Sequence, residues 1–199
     1  LRVSDGGFIT HWLAAGSYTG TSSSSRCRPS DDALVHATDD ALAEPSLAGV
    51  AGTETWRVLS SRSDRMEFLT DFGHVGAPRE VYTAAWVRGP AGAAVLALGP
   101  DDGARAWLDG VEVLDISGCQ GTNIDQFQAD VTLTGDWQQL VIKVRDQGGG
   151  WGNYTRLLDV DGAPIVDLDV ALTPDGSALP SVDTDGDGLG DACDPTPAG

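Results

Sequence analysis

The chain has 199 residues, 41% of them hydrophobic, which suits one domain of ordinary size with a real core. Its 25 Asp against 5 Glu, 11 Arg against 1 Lys, 26 Gly and 10 Pro favour caps, turns and metal loops over helices. A formal net charge of −18 repels phosphate backbones and anionic membranes, and no apolar run approaches the ~18 residues of a membrane-spanning helix, so nucleic-acid and membrane-embedded roles are not expected.

The sequence begins at Leu1, with neither a Met nor the basic start and apolar run of a signal peptide, and reads as a mature or excised piece. An apolar stretch, Phe8 to Leu13, is followed by the surface-loop run Ser22 to Ser25. Residues 31–50 have the one helix-compatible composition, kept short by Pro45 and the glycines. From about Thr55 onward, strand-like runs recur between turn signals: Trp56–Leu59, Met66–Leu69, Val81–Val87, Ala93–Leu98, Ala104–Leu108, Phe127–Leu133, Trp137–Arg145, Thr155–Val160 and Ile165–Leu172.

Period two is clean in Phe127, Ala129, Val131 and Leu133, which alternate with Gln128, Asp130 and Thr132. It recurs in Leu140, Ile142 and Val144, where Val141 breaks it. Asp109-Gly110, Gly135-Asp136 and Asp161-Gly162 are hairpin-type turns. Strands with one wet face and no intervening helices predict an all-β, antiparallel β-sandwich over residues 1–172. The Pro-containing stretch 173–182 reads as a linker, and 183–199 as a separate acidic segment.

Cys27, Cys119 and Cys193 show no CxxC or zinc spacing. A Cys27–Cys119 disulfide with Cys193 left over is the economical reading, and free buried thiols are the alternative. Trp86, Trp107 and Trp137 sit among apolar strand neighbours and are expected in the core. Trp151 lies in a glycine loop, where it either stacks on a sugar ring or folds back as a plug at the sandwich edge. In the first case Asn153, Tyr154 and Asp146 are the companion ligand-binding residues. Asn153-Tyr154-Thr155 is also a glycosylation sequon. Asp101 and Asp102 serve either turn chemistry or a calcium site.

The acids Asp183, Asp185 and Asp187 stand at positions 1, 3 and 5 of a twelve-residue loop, with Gly188 at the sharp turn. The carbonyl of Leu189 and the carboxylates of Asp191 and Asp194 complete an oxygen set suited to Ca2+. This stretch closely resembles a thrombospondin type 3 repeat. That resemblance implies calcium on those Asp residues and a bridge from Cys193 to an adjoining repeat. The order YTAAWV, VLALGPDDGARAWLDGVEVLD and FQADVTLTGDWQQLVIKVRDQGGGWGNYTRLLD resembles the galactose-binding-like jelly rolls attached to secreted bacterial enzymes. The DDG turn at Asp101-Asp102-Gly103 also resembles that of protective-antigen-type domains of yeast adhesins, which implies paired Asp residues holding calcium against a sugar.

No catalytic set emerges: His11, His36 and His74 are scattered, no G-x-S-x-G elbow occurs, and the glycine runs lack the Lys of a phosphate loop. Two readings remain open. One is a noncatalytic, extracellular carbohydrate-binding module with structural calcium and a glycan partner. The other is a structural subunit of a bacterial filament, stalk or surface layer, joined to identical subunits or neighbouring domains through the calcium-loaded tail. Both place the chain outside the cell or on its surface.

Overall fold

The structure, a computed structural model, describes residues 1–19, 26–30, 45–47, 49–52, 54–73 and 78–177. The expected calcium loop at 183–194, Cys193, His36, His74 and most of the helix-compatible 31–50 lie outside these residues. The elements in chain order are β1 (His11–Thr19), β2 (Val50–Ala51), β3 (Glu54–Thr55), β4 (Arg57–Ser60), β5 (Arg65–Glu67), the short helix α1 (Phe68–Phe72) and β6 (Arg79–Arg88). They continue with β7 (Gly92–Asp101), β8 (Gly103–Leu108), β9 (Val111–Ile116), β10 (Phe127–Leu133), β11 (Gln138–Asp146), β12 (Gly152–Leu158) and β13 (Asp169–Ala171).

Two antiparallel sheets pack face to face. The larger runs β4-β1-β6-β11-β8-β9, with β13 also paired to β6, and the smaller runs β10-β7-β12-β5. Between them lies a core that includes Trp12, Val81, Ala85, Leu96, Leu98, Leu140, Ile142, Val144 and Leu157. The predicted β-sandwich is thus the observed architecture.

The broken alternation of β11 has a structural cause. Leu140, Ile142 and Val144 face the inter-sheet core, whereas Val141 joins a second apolar cluster on the outer face of the large sheet, with Leu13, Trp56, Tyr82, Trp86 and Trp107. A central strand covered on both faces loses the polar alternate that marks a wet sheet. Edge strand β10 keeps it: Gln128, Asp130 and Thr132 are exposed while Val131 and Leu133 are buried. Trp86 and Trp107 are buried as expected, and Trp137 packs partly buried against them.

Other boundaries differ from the sequence reading. Met66–Leu69 is divided, because β5 ends at Glu67, whose carboxylate accepts from Leu69 N and caps α1. β9, the strand that the Asp109-Gly110 hairpin turn implies, is missing from the strand-like runs because, as an edge strand with Val111, Glu112 and Asp115 exposed, it carries little apolar pattern. The Asp109-Gly110 turn that joins it to β8 has φ of 48° and 76°, both left-handed, as a two-residue hairpin with type I′ geometry requires. Ile165–Leu172 is strand only over Asp169–Ala171. Among the described residues no helix is long and apolar enough to cross a membrane.

Candidate metal centre at a sheet crossing

β7 and β8 are almost continuous in sequence yet belong to different sheets, and Asp101 and Asp102 form the crossing. β11 and β12 cross at the same end through residues 147–151. The two crossings are stitched together: Asp102 N donates to the Arg145 carbonyl at 2.7 Å, and Gln147 N donates to Asp102 Oδ2 at 2.7 Å. Gly148 N donates to Asp146 Oδ1 at 2.6 Å. The Asp101–Asp102 peptide bond is cis. A Cβ at Gly103 would stand 2.0 Å from the Cys27 carbonyl oxygen, so only glycine fits after the Asp pair.

This arrangement places three carboxylates at one end of the sandwich, each of Asp101 and Asp102 within electrostatic reach of Asp146. Asp102 and Asp146 are buried, and the Asp101 side chain is 14% exposed. Burial is the main force pushing the Asp101 carboxyl up to about 6; repulsion from Asp102, Asp146 and Glu67 adds to it, and Arg65 opposes it from 3.9 Å. Asp102 is raised as well, first by burial and then by Asp146, against the pull of the Gln147 amide, Arg26 and Arg145.

The expected Cys27–Cys119 disulfide is present. Its sulfurs and a carboxylate oxygen of Asp102 lie within 4.8 Å of one another. Sulfurs tied to each other are not thiolate ligands, so the donors on offer are carboxylate oxygens, the chemistry that suits a hard cation such as Ca2+.

Behind the corner, on the outer face of the large sheet, sits a buried charged network. Glu80 Oε1 accepts from Arg145 Nη1 at 2.9 Å and from Ser30 N at 2.7 Å, while its Oε2 lies 3.3 Å from Lys143 Nζ. Glu80, Lys143 and Arg145 are all essentially inaccessible to solvent. Sequence reasoning did not single them out. The available signal was the chain's sole Lys, placed within the apolar run Leu140 to Val144.

The four expected sugar contacts do not converge. Trp151 is fully buried, its ring 5.8 Å from that of Phe68 and 5.9 Å from that of Phe72. This is the plug of the two alternatives, and it corrects the expectation of a stacking platform: no ring face is open to a ligand. Asn153 also lies in the interior, donating from Nδ2 to Thr155 Oγ1 at 2.7 Å, which places the sequon's Asn out of reach as well. Tyr154 points to the opposite face of β12, as neighbouring strand residues must, with its ring 5.6 Å from Phe8. Only Asp146 reaches the candidate site, as a companion of Asp101 and Asp102. A groove of about 720 Å³ lies near the far end of β7, lined by Val95, Val111, Val113 and Val131 with Asp109 and Asp130. It gathers no comparable set of buried charges.

No family model matches the sequence, and no curated protein matches it. Among solved structures, the PA14 domain of the antifreeze protein MpAFP has a TM-score of 0.51 at 16% identity, over 79% of this chain and 88% of that one. The PA14 sugar-binding domain from an RTX adhesin gives 0.49 at 20% identity, over 78% and 94%. A β-glucosidase from Kluyveromyces marxianus in complex with glucose gives 0.46 at 16% identity, over 74% of this chain but only 16% of that enzyme. The described chain therefore shares the β-sandwich fold of the MpAFP PA14 domain.

Proposed function

We propose that the chain is a noncatalytic carbohydrate-binding module whose ligand site is the carboxylate corner, with Asp101, Asp102 and Asp146 holding a calcium ion. The observation that supports this is the placement of three carboxylates at the end where two crossings meet, with Asp101 and Asp102 both pushed above the usual carboxylate range by burial and by their acidic neighbours. A fold keeps such mutually repelling groups together when a cation neutralises them. Calcium, when bound, offers its remaining coordination positions to neutral oxygens such as the vicinal hydroxyls of a sugar.

The chain's own residues aim the carboxylates and leave the approach clear. Gly148, Gly149 and Gly150 are exposed, and at the first two nothing lies within 4 Å of where a Cβ would stand. We place the module outside the cell, the setting in which a disulfide persists. We also infer that the sandwich ends near Leu172, and that Asp183, Asp185, Asp187, Leu189, Asp191 and Asp194 hold a separate calcium; that second inference rests on the register of the acids alone.

The direct test is calcium titration calorimetry of the full chain, together with retention on immobilised polysaccharides in calcium and in chelator. The double substitution Asp101→Asn, Asp102→Asn should remove one calcium equivalent and weaken the corner's affinity by at least about a hundredfold, because affinity follows ligand charge. Glycan retention should fall with it. Unchanged calcium uptake by the double variant would sink the reading, as would glycan retention indifferent to chelator.

The pH dependence has a definite sign. A carboxyl raised to about 6 must lose its proton before it can bind a cation, so corner affinity should fall about tenfold between pH 7.5 and 5. In chelator the trend reverses. The folded chain takes up this proton more readily than the unfolded chain, so acidification from pH 7 through 6 toward the unfolded carboxylate range should raise the melting temperature. Melting curves with and without calcium at several pH values check both halves.

A further inference from the structure

A third connection crosses at the same end of the sandwich. Residues 117–126 leave β9 at the edge of the large sheet and enter β10 in the small one. They are held at four places. Cys119 is bonded to Cys27, and Gln120 Nε2 donates to the Asp102 carbonyl. The Asn123 carbonyl lies so close to Gly99 that a Cβ there would stand 1.8 Å away, and Asp125 Oδ1 accepts from Arg156 Nε at 2.8 Å. The first two of these anchors touch the Asp102 level, and the Cys27 carbonyl itself runs over Gly103. Cys27 is fully buried against the corner, whereas Cys119 is exposed.

We propose that the Cys27–Cys119 disulfide is a positioning element of the carboxylate corner: it clamps the 117–126 connection against Asp102, and its reduction by a dithiol weakens cation binding there. This rests on the calcium reading above. The exposed sulfur sets the route. A thiolate of the reductant attacks Cys119 Sγ, the S–S bond breaks, and Cys27 leaves as a thiolate that takes up a proton. The reductant's second thiol then displaces Cys119 and closes the reductant's own disulfide. The protein gains two electrons and two protons, and the dithiol loses them. Freed from Cys27, the connection keeps its Arg156 and Gly99 anchors but no longer fixes Gln120 on the Asp102 carbonyl, and a metal site whose supporting shell is loosened binds less tightly.

The experiment uses the full chain, oxidised or treated with dithiothreitol, and the double variant Cys27→Ser, Cys119→Ser. Calcium affinity is measured at a low temperature where near-ultraviolet circular dichroism shows native packing, following the equivalent that Asp102→Asn removes. Reduced and double-Ser proteins should bind about ten- to a hundredfold more weakly, and Gln120→Ala, with the disulfide intact, should shift affinity in the same direction. Arg28→Ala breaks the neighbouring ion pair to Asp115 and should leave affinity unchanged. Equal affinity in the oxidised and reduced folded states overturns the proposal, as does an equal loss in Arg28→Ala, which would signal general loosening. Should the reduced chain fail to fold, an unchanged affinity in Gln120→Ala overturns it. No calcium at the corner of the oxidised wild type defeats the calcium reading itself, and this proposal with it.

Discussion

Glu80→Ala should lower the unfolding free energy by about 3–5 kcal/mol, because it strands buried cations. Lys143 and Arg145 are fully buried on the same face as Glu80 and both contact its carboxylate. Once that carboxylate is gone, the cost of desolvating both cations remains while a counter-charge they share is lost. Lys143→Met is the informative companion. It removes a charge together with its desolvation cost and leaves a side chain of similar volume, so it should destabilise less than Glu80→Ala. Urea denaturation of the two variants tests the ordering. A Glu80→Ala protein within about 1 kcal/mol of wild type would show that the network is not the buried unit described here. The effect should reach the corner too, because the Arg145 carbonyl receives the Asp102 amide.

Trp151→Ala should cost about 3–5 kcal/mol, the range for deleting a large aromatic from a packed core. The ring packs against both Phe68 and Phe72, and the Trp151 carbonyl accepts from Phe68 N at 2.9 Å, so α1 and the β11–β12 crossing both lean on it. Trp151→Phe should recover most of the loss. In conditions where Trp151→Ala remains folded, its glycan affinity should match wild type. A variant of near-normal stability that had lost its ligand would instead place the ring at the ligand.

These two residues show what the sequence displays and what it conceals. Period two in β10 marks a sheet with one wet face and Asp109-Gly110 marks the β8–β9 hairpin, so the sandwich is legible, whereas Gly135-Asp136, which also reads as a hairpin turn, joins β10 to β11 in the other sheet. The burial of Trp151 is not. Its sequence neighbours are glycines, and its spatial neighbours come from α1, which reads as the end of a strand. Asp101, Asp102 and Asp146 are each visible as acids near turns, but a turn Asp and a metal Asp look alike until two crossings place them at the same end of the sandwich. The Glu80 network is hidden differently: a charged residue on a strand ordinarily signals solvent, and here the outer face of the sheet is covered.

The two ends of the sandwich differ in their connections. At the far end β8 returns to β9 through the two-residue turn Asp109-Gly110, and the sheets are joined by the short stretches 89–91 and 134–137. The longer stretches 117–126 and 147–151 span the gap beside the carboxylates. Lengthening a flexible connection costs only about 0.6 kcal/mol per doubling. Insertions at Gly148-Gly149 would therefore reshape what meets the corner while leaving the strands that carry its acids unchanged. A combinatorial library built on this scaffold would randomise length at that glycine pair and keep Asp101, Asp102 and Asp146 fixed.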